Sequence, residues 1–120
     1  MRWRRIAGNV LIALGGLALL GSASAKFAHV PQVVAQLNGF GFQGKVMLIA
    51  TGEALSALLF LIAPTRSIGL LLVSGLLGGA IATHMQHGQS YVGPAVLLML
   101  VWLGTWLRHP EALWSLTLSR

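Results

Sequence analysis

The chain has 120 residues, of which 56% are hydrophobic and only 8% charged, and its mean hydropathy is +0.80. A soluble domain carries about 25% charged residues, so these charges are too few to cover a water-facing surface, and a soluble monomer, a disordered tail and a coiled coil are set aside. The net charge of +6 does not point to nucleic acid, because the basic residues lie between long apolar runs, as charges flanking membrane spans do. With no cysteine, the chain has no disulfide, thiolate metal site or thiol nucleophile.

About 20 apolar residues cross a bilayer as a helix. Four runs of this kind predict spans at about 6–26, 45–63, 67–85 and 90–107. None alternates with period two, so helices are favoured over barrel strands. The first run follows Arg2, Arg4 and Arg5 and ends in Ala23-Ser24-Ala25, which also fits a secretory signal with an A-x-A cleavage site across residues 1–25. Its apolar stretch is longer than a signal core, and its removal would leave three spans, so it is read as the first helix. The long link from Lys26 to Gly44 follows. Pro31 suits the first position of a short helix there, with Val33, Val34 and Leu37 on one face and Asn38-Gly39 at its end. That segment is expected in the outer interface or as a cap on the bundle.

The second run is interrupted only by Glu53. Pro64-Thr65-Arg66-Ser67 then makes a tight turn, with Ser67 as the expected N-cap of the third span. A short polar link leads to the fourth span, and Pro110 restarts an amphipathic tail over 110–120 bearing Leu113, Trp114, Leu116 and Leu118. The expected fold is all-α: a single antiparallel four-helix transmembrane bundle with a short interfacial helix between the first two spans. Arg2, Arg4, Arg5, Arg66, Arg108 and Arg120 fall on one side and Lys26 and Lys45 on the other, which places both termini in the cytoplasm. Trp3, Trp106 and Trp114 then mark the inner interface, and Phe27, Phe40, Phe42 and Tyr91 the outer one.

Lipid is as apolar as leucine, so close backbone packing holds membrane helices together. Gly75 and Gly79 form a GxxxG pair on the third span, Gly78 lies beside it, and Gly52 and Ser56 share this spacing on the second. These are expected to be packing positions, within one bundle or at a homodimer seam.

Glu53 is the residue most suggestive of chemistry. A carboxylate near the middle of a span costs at least about 2.5–3.5 kcal/mol on insertion scales, so it must face the bundle interior, stay protonated or pair with a cation. Lys45 is eight residues away, about 12 Å along the axis, and too far for a direct pair. Lys26 can reach it if the first helix runs past Ala25, which is expected because nothing breaks the helix before Pro31; snorkelling to the headgroups is the alternative. His84 and His87 share a helix face at the same outer mouth, with Gln36, Gln43 and Gln86 nearby. Two histidines and one carboxylate could hold a metal, but no metal site is assigned. Trp102 and Trp106, one turn apart, suit either a flat-ring pocket or packing. No nucleotide-binding, serine-hydrolase or zinc-protease motif is present.

Taken in sequence, Gly21-Ser22-Ala23-Ser24-Ala25-Lys26-Phe27, the Pro31 segment ending at Asn38-Gly39, Gly52-Glu53, Gly79-Ala80 with Thr83-His84, and the Gly88 loop before an apolar helix resemble the DoxX-like family of small four-helix membrane proteins. The resemblance implies an antiparallel bundle in the bacterial inner membrane. It also implies kinship with membrane subunits of oxidoreductases that pass electrons to quinone, with Lys26, Glu53 and His84 at the recurring polar positions. The expected function is an accessory or quinone- or lipid-binding subunit of a membrane redox system, with a polar site at Glu53 and quinone as the ligand in view. A structural or assembly protein without its own activity is the alternative. A small proton-coupled transporter ranks behind, because small multidrug transporters carry their membrane glutamate in the first span and this first span has no acid. Expected partners are the lipid bilayer, an oxidoreductase subunit or a second copy of the chain, and no nucleic acid.

Overall fold

A computed structural model describes residues 2–109; the amphipathic tail expected at 110–120 lies outside the described residues. The described residues form α1 (Arg2–Phe27), α2 (Pro31–Gly39), α3 (Val46–Leu61), a 3₁₀ turn (Ala63–Thr65), α4 (Arg66–Gln86) and α5 (Val92–Arg108), with no strand among them. The four long helices pack in a closed ring, α1 between α3 and α5, and α4 between α3 and α5. Neighbours run antiparallel. Ser22 near the end of α1 meets Glu53 in mid-α3, while Gly16 meets Leu61 at the end of α3. Gly8 likewise faces Arg108 of α5 and Gly15 faces Val101. Ile12, Leu19, Phe60, Leu70, Val73 and Val101 fill the centre.

The bundle measures 45 × 24 × 22 Å. Two helical stretches, Arg2–Phe27 and Ala63–Gln86, are long and apolar enough to cross a membrane. α3 and α5 are shorter, at 16 and 17 residues. The outward faces stay apolar: Val10 and Leu17 on α1, Leu48 and Leu55 on α3, Leu71 on α4 and Met99 on α5 are all exposed.

Three loops follow the same device, a left-handed residue just past the helix end whose own N–H and that of the next residue bond back to the last turn. After α2, which ends at Gly39 as expected, this residue is Gly41 (φ 88°), with Phe42 N–H donating to Leu37 O at 2.9 Å. After α4 it is Gly88, with Gln89 N–H donating to His84 O at 2.8 Å. After α1 it is His29 (φ 55°), where Val30 N–H reaches Ala25 O at 3.1 Å.

The turn between α3 and α4 differs from expectation. Ser67 is not the N-cap: α4 begins at Arg66, and Thr65 precedes it without a side-chain cap. Arg66 folds back onto α3, where its Nε and Nη2 donate to Phe60 O and Leu61 O, each at 2.8 Å. Thr65 Oγ1 donates to Leu59 O at 2.8 Å. Carbonyls that the end of α3 leaves without helical partners are thereby satisfied. Arg66 is buried, acting as a plug as well as a flanking charge.

The packing glycines also differ. A Cβ built on Gly52, Gly75, Gly78 or Gly79 meets nothing within 4 Å. Close approach occurs at Gly8, Gly15, Gly16, Gly69 and Gly104 instead; at Gly69 a Cβ would collide with the backbone of Leu59 and Phe60. These five lie toward the end that holds the N-terminus of α1, the α3–α4 turn and the C-terminus of α5. The helices are therefore closely joined at this arginine-bearing end and leave space at the α2 end.

Candidate functional site

At the α2 end, α1 continues past Ala25 to Phe27, so Ser22 and Lys26 share one face a turn apart. This face meets Glu53 of α3. Lys26 Nζ lies 2.8 Å from Glu53 Oε1 and donates to Ser22 Oγ at 2.7 Å. Ser22 Oγ in turn donates to Glu53 Oε2 at 3.1 Å. Each of the three side chains thus bonds the other two. The Lys26 and Glu53 side chains are only 12% exposed, so the pair is mostly withdrawn from solvent. Lys45 stands exposed at the start of α3, outside this network.

The network forms one wall of a cavity of about 510 Å³. That volume lies in the range of small-molecule sites, about 300–1,000 Å³, which are lined mainly by apolar groups with a few placed polar ones. α2 roofs the cavity with Val33, Gln36 and Leu37, and Phe40 follows at its C-cap. α4 contributes Gly75, Gly79, Thr83 and His84, and α5 adds Pro94 and Leu97.

His84 lines the same cavity but bonds within its own helix. Its Nδ1 is 2.6 Å from Ala80 O, and because a carbonyl only accepts, Nδ1 carries the proton. The Phe40 ring packs edge-on to His84 at 5.0 Å and lies 5.0 Å from His87, which fastens the end of α2 to the end of α4. The combination of Glu53, His84 and His87 as metal ligands does not form: no group of three or more His, Cys, Asp or Glu among the described residues is placed to hold a metal ion. Trp102 and Trp106 do not line this cavity. Both rings are partly exposed on the outside of α5, with Trp102 Nε1 donating to Ser74 Oγ at 2.9 Å and Arg4 lying 5.0 Å over the Trp106 ring.

Two contributors escaped the sequence reading. Ser22 could have been found from its i, i+4 spacing to Lys26. Phe40 as a fastener could not, because the loop that folds it onto α4 has no local signature. No family model, characterised protein or solved structure matches this chain.

Proposed function

We propose that this chain is a DoxX-like integral protein of the bacterial inner membrane. In this reading its four long helices cross the bilayer with both termini in the cytoplasm, and it serves a membrane redox system as a quinone- or lipid-binding subunit. The observation that carries the reading is the Ser22–Lys26–Glu53 network set into an otherwise apolar cavity under α2. An apolar enclosure with a few convergent polar atoms suits a ring or headgroup with oxygen substituents. The apolar outer faces of all four long helices support placement in lipid. The chain has no thiol for redox chemistry of its own, and in this reading it holds and orients the ligand for a partner's redox centre. The same network would also serve a purely structural protein, and the test separates the two.

Native mass spectrometry of mildly solubilised wild type beside Glu53→Gln reads this directly. Wild type is expected to retain a quinone or lipid mass that the variant holds about tenfold more weakly, a difference of about 1.4 kcal/mol. Empty protein in both samples, with the variant unfolding at a lower temperature, would leave the network as a structural lock.

A further inference from the structure

We infer that the cavity is entered sideways from the lipid, between α3 and α4, and that its occupant is a lipid-dissolved molecule with an uncharged head bearing carbonyl or hydroxyl oxygens. This rests on the membrane-embedded reading above.

The route follows from α4. Gly75, Gly79 and Thr83 follow one another at i, i+4 and i+8 on one stripe, and all three line the cavity. Gly75 and Gly79 are also exposed, so the cavity reaches the outer surface where they stand. Across from them α3 presents Ile49 and Glu53. The two helices are pinned at their turn by Gly69 against Phe60, but no side chain lies within 4 Å of a Cβ on Gly75 or Gly79. The seam is closed at one end and open at the other. Above the opening α2 shields the cavity from the aqueous side, with Leu37 buried.

The head chemistry follows from the polar atoms that remain. Lys26 has three N–H donors; two are occupied by Glu53 and Ser22, leaving one. With Nδ1–H of His84 occupied by Ala80 O, Nε2 is the ring nitrogen left to meet a ligand. Lys26 and Glu53 cancel each other's charge. The Gln36 amide on the roof adds further donors and an acceptor, and this mixed set with no net charge matches carbonyl or hydroxyl oxygens on a neutral head better than a phosphate, which calls for unpaired cations.

The chain has no cysteine, so Ala80→Cys places a single thiol in the cavity wall. In vesicles, a long-chain alkyl maleimide dissolved in the bilayer is expected to label it, and a sulfonated, membrane-impermeant maleimide is not. Adding Gly79→Leu should fill the seam and abolish labelling. Adding Gly78→Leu, at an exposed position that does not line the cavity, should leave labelling unchanged. Labelling by the impermeant reagent, unchanged labelling in Gly79→Leu, equal loss in both leucine variants, or loss of fold in Gly79→Leu by circular dichroism would each overturn the lateral route. The head is tested on wild type with a short-chain alkyl benzoquinone, its quinol and phosphatidylglycerol, read by unfolding temperature. The two neutral rings should raise it and the phospholipid should not. A rise with phosphatidylglycerol alone, or with none of the three, overturns the head assignment and leaves the route standing on the labelling result.

Discussion

Glu53 is the residue whose sequence context was most informative. A lone acid in an apolar run must face the interior, stay protonated or pair with a cation, and Lys26, brought within reach by helix continuity past Ala25, lies 2.8 Å away. Breaking a buried pair costs about 3–5 kcal/mol because one charge is left uncompensated; with 12% exposure the lower part of that range is expected here. Glu53→Gln and Lys26→Met should each lower the unfolding temperature in detergent, and the double variant should recover most of the loss. Additive losses would mean that the two groups are not coupled. Arg66 was less legible, because its spacing fits a flanking charge as well as a cap. Removing its guanidinium leaves the Phe60 and Leu61 carbonyls without that donor, at about 1–3 kcal/mol for each buried group. Arg66→Met is therefore expected to be strongly destabilising, and Arg66→Lys to rescue little, since a lysine lacks the planar fork. His29 shows the opposite sign. A left-handed L-residue costs about 1–2 kcal/mol, part of which glycine gives back through unfolded-state entropy, so His29→Gly should stabilise by about 0.5 kcal/mol in thermal unfolding.

At the scale of elements, apolar run length located all four long helices, and Pro31 located α2, because these signals are local. Which glycines pack is not local. Gly75 and Gly79 carry the motif of a helix contact, yet α3 and α4 meet a turn and a half earlier, where Gly69 lies against Phe60. The 3₁₀ turn with Arg66 folded onto the end of α3 sets that crossing, and no sequence period encodes it. The two kinds of glycine predict different outcomes for one substitution. Gly69→Ala forces a methyl into backbone that cannot yield, an overpacking cost toward the upper end of about 1–3 kcal/mol. Gly78→Ala meets open space and gains helix propensity of up to about 1 kcal/mol. Unfolding temperatures of the two variants, measured side by side, should move in opposite directions.

Across the whole molecule, five described arginines gather at one end while the Lys26–Glu53 pair and α2 occupy the other. Reporter fusions at the N-terminus and after Arg108 should both report the cytoplasm if all four long helices cross the bilayer; opposite reports would mean an odd number of crossings. The all-helical class was legible because none of the apolar runs alternates with period two. The cavity was not, because it arises from the angle between helices. The uneven spacing of the helices also implies that the molecule does not unfold as a single unit. Amides around Gly8, Phe60, Gly69 and Gly104 should exchange with solvent deuterium only through global opening, whereas α2 should exchange through a cheaper local opening. Binding at the mouth would then draw on the less stable of two cooperative units, and guest molecules could come and go while the arginine end stays folded.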